Sequence, residues 1–438
     1  MKKLFILFFA ITITFGVKSQ SLLITNVNVI PIEGGENILK NQTVVIKDGK
    51  IAEIIPFKQE HTKDKTKVIV DGTGKYLIPG LADMHVHFPN EKEISLNQFF
   101  KLNLAAGVTT LRSMRGESRH LTLRDSINKK LILAPDLYIS ISLPSDSTVT
   151  AKDLKTFVTK SKKEGWDFVK YLSGLSPQLF DSAALYCKQN NIKLAGHVYN
   201  QDLQTAIEAN QASVEHYQSI LKEYRKDSLH FGEVMKQLKE KNIFIDPTLS
   251  FYYIWGFQFT NEELKARNGI NKINNKVYED WFKEYTNFLK NFESPEKKEE
   301  LEKSIAKTKK NLADFGKLLK IMNDNKVMLL LSPDESAFNV PGFAMAEEMK
   351  LYKKAGLSNY DILKIATYNA ASFFAASGNV ISSAVEKKET DWGTIAKNKK
   401  ANLVLLDKNP LDDIENIKTI NAVILGGKVY KPDALLKK

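Results

Sequence analysis

Eight short apolar runs, separated by stretches with helical periodicity, constrain this chain more than any other feature. The runs are "LADMHVH", "VTTLRSM", "DLYISIS", "DFVKYL", "KLAGHV", "SVEHY", "IFIDPTL" and "VMLLLSPD". Segments such as "AKDLKTFVTKSKKEG", "SPQLFDSAALYCKQNN" and "FGEVMKQLKEKN" fall between them, with apolar residues recurring at helical spacing. A strand, a crossover helix and another strand make a parallel pair. Eight such units predict an α/β fold, a (β/α)8 TIM-type barrel over residues 79–375. An open doubly wound sheet is the competing fold. It would place a Gly-rich phosphate loop after an early strand, and the sequence has none.

Both ends of the chain have a different texture. "LLITNVNVI", "QTVVIKDGKIAEII" and "KVIVDGTGKYLIPG" read as short strands with DG and GTG turns, and "ANLVLLD" and "TINAVILGGKVYK" repeat the pattern near the C-terminus. Residues 21–78 and 376–438 are therefore expected to build one small β-sandwich domain from both ends, the alternative being two separate β appendages. Residues 251–325 interrupt the barrel with Lys, Glu, Asn and aromatics at helical spacing. This insertion follows the seventh strand and is either a lid over the mouth or a structural addition.

Residues 1–20 begin with Lys2 and Lys3, continue through the 14-residue apolar run "LFILFFAITITFGV", and reach small residues near Ser19. They read as a signal peptide rather than an uncleaved anchor, because the run is short for a membrane span. No cysteine follows the run, so a lipid anchor is not expected. The expected destination is periplasmic or secreted, with no stable membrane insertion after cleavage. The single cysteine, Cys187, excludes an internal disulfide and a Cys-rich zinc module. Net charge is +12, but the lysines interleave with acids and form no basic stripe with aromatics, which argues against nucleic acid as a partner.

Barrel chemistry gathers at the C-terminal ends of the strands. Strand one ends in His85 and His87, strand five in His197, strand six in His216 and strand eight in Asp334. Strand four carries Lys170 inside an apolar run. Alternation puts His85 and His87 on the same, inward face. Paired imidazoles suit a borderline cation such as Zn2+. A bare ammonium at Lys170 is costly among Phe168, Val169 and Leu172 and repels metal. Carbamylation by CO2 turns it into an anion able to bridge two metals, whereas a lone lysine would snorkel to the rim. Asp334 can bind one metal and accept a proton from its water, although "SPDES" also fits a helix cap. Alternation turns Glu215 away from His216, which gives it a structural role. His61, His120 and His230 sit in polar or helical contexts and receive no metal.

This set, in this order, resembles the metal-dependent amidohydrolase superfamily over nearly the whole chain after residue 20. "VDGTGKYLIPGLADMHVHF" resembles its first-strand signature, "AAGVTTLRSM" its second strand, "WDFVKYL" its bridging-lysine strand, and "GHV" and "VEH" its next ligand strands. "ATYNAA" and "GTIAKNKKANLVLLDKNPLDDI" are similar to its closing helix and returning sheet. The resemblance implies that His85, His87 and Asp334 hold the more buried metal, His197 and His216 the second, and carboxylated Lys170 both. The branch it resembles is the imidazolonepropionase-related one, with its prolidase-like Xaa-Pro dipeptidases. In those, a tyrosine near the substrate carbonyl falls where Tyr199 stands; Tyr199 either polarises that oxygen or packs at a loop start. Two departures bear on the substrate. Those dipeptidases carry Arg-Asp where this chain has Arg112-Ser113, and their Gly-rich, His-containing loop is replaced by "LPSDSTV". Arg112, Arg115 and Arg119 are candidates to grip a substrate carboxylate, or are ordinary loop charges.

The N-terminal segment predicts export, and the resemblance implies a hydrolase of a small-molecule amide or peptide, in which a hydroxide between two metals, zinc first among them, attacks a carbonyl. Asp334 receives the proton, with Tyr199 assisting the oxyanion. A mononuclear cyclic amidase, deaminase or lactone hydrolase is the second reading, and an inactive binding barrel the third. Homo-oligomerisation stays open.

Overall fold

The computed structural model describes residues 21–63, 67–198, 202–334, 336–375 and 390–437. Residues 1–20, expected to be a signal peptide, Tyr199 and the 376–389 start of the returning segment lie outside the described residues. No helix among them is long and apolar enough to cross a membrane.

The fold is a nearly closed parallel barrel attached to a sheet made from both chain ends. The first part of that sheet is β1 (Leu22–Val29), β2 (Leu39–Lys47), β3 (Lys50–Pro56), β4 (Val68–Asp71) and β5 (Tyr76–Pro79). The barrel strands are β6 (Leu81–Val86), β7 (Val108–Ser113), β8 (Asp136–Ser142), β9 (Phe168–Tyr171), β10 (Lys193–Gly196), β11 (Ser213–Glu215) and β12 (Phe244–Asp246). The sheet resumes with β13 (Leu403–Leu406), β14 (Ile420–Leu425) and β15 (Lys428–Tyr430).

The end sheet has the order β15-β14-β13-β5-β1-β2-β3, with β4 also on β1. Its far end folds back, because Ile51 donates to Lys399 and Ala401 to Gly49, just ahead of β13. Leu22, Ile24, Val44, Ile46, Ile51, Leu403, Leu405 and Ile424 fill the interior so formed. The expected sandwich is thus one hydrogen-bonded sheet turned on itself. Gly80 is the joint between sheet and barrel. A Cβ there would stand 2.0 Å from Thr109 Oγ1, so only glycine lets β5 run straight into β6.

Barrel strands pair in sequence order, β6 to β12, as eight repeating units demand. The helix Ala151–Glu164 shows how one unit closes. Thr150 and Asp153 form a capping box at its start, and Gly165 ends it at φ 89°. Its apolar stripe buries Leu154 and Val158, leaving the lysines outside. The eighth segment is not a regular strand. It meets β12 through one bridge, Ile245 to Leu329, with Ile245 donating to Met328 and Leu330 donating to Ile245.

The insertion is helical: Leu249–Trp255, Asn261–Lys265, Asn275–Lys290 and Pro295–Asp324. It is tied to the mouth rather than hinged above it. Tyr278, Trp281 and Tyr285 pack edge-on to Phe338, and Trp281 Nε1 donates to Glu93 at 3.0 Å. Arg267 donates to the Phe338 carbonyl and to Asn339. Trp281 also walls a cavity of about 130 Å3 between Pro89–Ile94 and Ser336–Pro341.

Candidate metal centre

Strict alternation would carry a residue of β6 inward only at every second position. The register shows one extra residue: Asp83 pairs with Leu111 and Val86 with Ser113, so three steps on β6 match two on β7. This bulge lets Met84 fill the barrel floor while His85 still points to the centre. On β11 the expected alternation also fails. His216 takes φ 68°, which turns it inward beside Glu215 rather than opposite it. Glu215 is therefore not turned away from the site but lies directly beneath it. Asp334 adopts φ 55° at the end of the eighth segment, and Thr248 φ 50° after β12. Left-handed backbone at three non-glycine residues around one cleft is local strain held by the surrounding packing. Gly196, at φ 137°, lets the chain turn so that His197 faces in; a Cβ there would lie 2.0 Å from the Tyr171 carbonyl oxygen.

The inward side chains meet at the C-terminal mouth. Lys170 Nζ lies 3.2 Å from His85 Nε2. His87 Nε2 is 3.5 Å from Asp334 Oδ1, and His85 Nε2 is 4.0 Å from Asp334 Oδ2. His216 Nε2 is 3.1 Å from His197 Nε2, and His216 Nδ1 is 3.9 Å from Asp334 Oδ2. All six metal-site residues read from the sequence thus converge. Of these, His85, His216 and Asp334 offer ligand atoms close enough to share one ion.

Burial sets the protonation. It pushes His87 down to about 3 and His197 down to about 4, and His85 and His216 well below the usual imidazole range, with the Lys170 ammonium adding to each. Four neutral imidazoles present lone pairs, as metal ligands must. Burial also lowers Lys170 to about 8, partly opposed by Glu215 and Asp334. That shift leaves a fraction of the amine neutral near neutral pH, and the neutral form is the one that combines with CO2. The donor set, four imidazoles and a carboxylate around a buried amine, therefore fits divalent metal.

Beneath the mouth lies a charged floor. His85 Nδ1 is 2.9 Å from Glu215 Oε2, so Glu215 fixes the tautomer and leaves Nε2 as the lone-pair nitrogen. Arg112 Nη2 donates to Glu215 at 2.9 Å and to Asp246 at 3.1 Å, its Nη1 to Ser213 at 2.9 Å, and its Nε to the Met84 carbonyl. Ser332 donates to Asp246 at 2.7 Å. Arg112 is 0% exposed, and its guanidinium sits over Phe373 at 4.7 Å. The expectation that Arg112 grips substrate is corrected on this ground: it is sealed below the site and its donors are spent on the protein. His85, Glu215 and Asp246 cluster closely enough to resemble a second metal group, but the guanidinium already fills the cation position between the two carboxylates.

Of the remaining candidates, Arg119 is exposed and paired with Glu91 and Glu117. Arg115 is exposed one residue past Met114, whose N–H continues the ladder to Val86, and its charge reaches His87. Tyr199 lies outside the described residues. His61, His120 and His230 bond locally to Thr43, Glu117 and Asp227, away from the centre. Sequence reading missed Thr248, whose Oγ1 is 2.7 Å from His216 Nδ1, and the joint role of Arg112, Glu215 and Asp246. The signal was there for the latter three: each is a charge inside an apolar strand run, as Lys170 is.

Comparison with known proteins agrees with this arrangement. The amidohydrolase family model matches residues 76–430. The solved structure of a Xaa-Pro dipeptidase with bound methionine superposes with a TM-score of 0.68 at 17% identity, covering 94% of this chain and 100% of that one. An adenine deaminase of Lysinibacillus sphaericus is 27% identical over 170 residues, 35% of this chain and 28% of its own. An imidazolonepropionase of Staphylococcus aureus is 39% identical over 77 residues, 16% of this chain and 18% of its own. The chain spans well under a third of the length of these curated relatives. This chain belongs to the amidohydrolase family.

Proposed function

We propose that the chain is an exported, dinuclear metallohydrolase that cleaves an amide bond in a small, dipeptide-like substrate. The observation that carries the reading is the convergence of four neutral imidazoles and Asp334 around the buried amine of Lys170. Lys170 would react as the neutral amine with CO2, forming an N–C bond and releasing one proton, to give a carbamate that joins both halves of the centre. His85, His87 and Asp334 would hold one ion and His197 and His216 the other. Divalent zinc so held supplies Lewis acidity and a water ionisable near neutral pH. Asp334 sits within reach of both halves, where it can accept the proton of the attacking water and return it to the departing nitrogen. Tyr199 would donate to the carbonyl oxygen and Arg115 would pair with a substrate carboxylate at the rim.

A second reading, a mononuclear deaminase, has the partial likeness to adenine deaminases in its favour. The position of Lys170 favours the dinuclear one. An inactive barrel is disfavoured because every ligand position is present. The test is a hydrolysis screen of protein loaded with zinc and bicarbonate, using dipeptides, cyclic amides, lactones and adenine. Turnover confined to dipeptides and acyl amino acids supports the reading; ammonia release from adenine alone overturns it.

A further inference from the structure

The loops that leave His87 and Asp334 enclose a space that the metal-site residues do not fill. His87 Nε2 and Asp334 Oδ1 are 3.5 Å apart. From there one loop runs through Pro89–Ile94 and the other through Ser336–Pro341. Between them lies the cavity of about 130 Å3 that Trp281 of the insertion closes. A cavity of about 150 Å3 is enough for benzene, so this one suits a group of a few heavy atoms. Its walls are mixed: Pro89, Ile94, Ala337 and the indole are apolar, and Glu93 brings a carboxylate. Glu93 is held but not neutralised. Its Oε2 accepts from Trp281 Nε1 at 3.0 Å and its Oε1 from Asn90 Nδ2 at 3.0 Å, and both donors are uncharged. Two residues earlier, Glu91 pairs with Arg119. Among the described residues no Lys, Arg or His pairs with Glu93. A half-buried carboxylate fixed by neutral donors keeps its negative charge, and each oxygen retains a lone pair for a further donor.

We propose that this cavity is an amine subsite: Glu93 receives the free α-ammonium of the substrate, and the helical insertion, through Trp281, makes the site selective for unblocked amino termini. The inference rests on the amide-hydrolase reading above and narrows its substrate from acylated amino acids to peptides with a free amino terminus. An ammonium brings three donors and one positive charge, which match a carboxylate with lone pairs to spare. An acyl cap in the same place would leave the Glu93 charge unanswered beside apolar atoms. Arg115, assigned above to the substrate carboxylate, follows β7, which pairs with β6. The cavity lies on the Asp334 side of the His87 loop. The two charged ends of a dipeptide would then be received on opposite sides of His87, with the amide between them.

Kinetics with alanyl-alanine and N-acetyl-alanyl-alanine on the full chain, loaded with zinc and bicarbonate, test it. The wild type should show a KM for the free peptide about 10- to 100-fold below that for the acetylated one. Glu93→Gln keeps the side-chain length and removes the charge. It should raise KM for alanyl-alanine by that factor and so close the gap between the two peptides. Equal KM values in the wild type, or a rise shared equally by both peptides in the variant, overturn the proposal; the shared rise, with a lower melting temperature, is what a purely structural Glu93 would give. If neither peptide is cleaved, the hydrolase reading fails, and calorimetric binding of the same two peptides decides the subsite: equal affinities, or no binding of either, overturn it. Should Glu93→Gln not fold, the wild type still decides. Its KM for alanyl-alanine should rise relative to that for the acetylated peptide as pH passes about 8, where an α-ammonium loses its proton. A ratio independent of pH overturns the assignment.

Discussion

The floor and the mouth of the barrel solve the problem of buried charge in opposite ways. On the floor, Arg112, Glu215 and Asp246 are 2% exposed or less and neutralise one another through direct hydrogen bonds between adjacent strands. At the mouth, burial strips the charge from four imidazoles, and His216 is backed by a loop residue, Thr248, in a stretch of backbone with positive φ. The difference teaches that rigidity is placed where the metal ligands are rooted. Adaptability is left where substrate must enter.

The comparison breaks most visibly at the floor. Arg112→Met removes the shared cation and leaves Glu215 and Asp246 buried with only Ser213, His85 and Ser332 to hold them. The expected cost is about 3–5 kcal/mol, read as a large drop in melting temperature. A near-normal melting temperature would mean that the floor is not held by charge.

The next test lies where the mouth is anchored. Glu348 is 0% exposed and accepts the N–H of Leu249 at 2.9 Å and of Ser250 at 2.6 Å, holding the helix that carries the insertion away from β12. Burial pushes its carboxyl up to about 8, against an unfolded value of 4.5. Between those values the folded chain keeps a proton that the unfolded chain has released. The Glu348 contribution to stability should therefore fall as pH rises from about 4.5 to 8, by on the order of a few kcal/mol. The buried histidines contribute the opposite slope below about 6.5 and Asp83 a similar one, so the contribution is read as a difference between chains. Urea unfolding at several pH values should show the wild type losing stability relative to Glu348→Gln across that range; a difference independent of pH would contradict the assignment.

Gly196→Ala sharpens the account of the mouth. Its Cβ would meet the Tyr171 carbonyl and its backbone would be strained, costing about 1–3 kcal/mol. Zinc affinity should fall with it, because His197 follows directly on Gly196. The smallest effect is expected at the rim. Arg115→Ala should raise KM about tenfold for substrates with a free carboxylate, leave kcat close to normal, and spare the corresponding amides. Equal KM changes for both would remove Arg115 from the substrate site.

Much of this was legible in the sequence, for a physical reason. Repetition made the barrel readable, since each apolar run recurs with its helix, and five of the six converging side chains follow at strand ends, with Lys170 inside its strand. What alternation could not reveal were its exceptions. The bulge that aims His85 while Met84 fills the floor, and the left-handed His216 that brings Glu215 into the site, cost one residue or one dihedral each and leave no periodic trace. The eighth segment reads as a strand by composition but makes only one bridge, because "SPD" must bend inward to present Asp334. Arg112 reads from the sequence as a substrate candidate or a loop charge, set beside the Arg-Asp pair of the dipeptidases, and it is neither. Its strand neighbours, which hold the acids it pairs with, decide its role.

The central claim is that Lys170 joins two ions into one centre. Elemental analysis of protein loaded with zinc and bicarbonate, then dialysed, tests it most directly when wild type and Lys170→Ala are compared. The account predicts two zinc ions per chain in the wild type and the loss of at least one in the variant, with turnover lower by on the order of 1000-fold or more. Two zinc ions and full turnover in Lys170→Ala would contradict it.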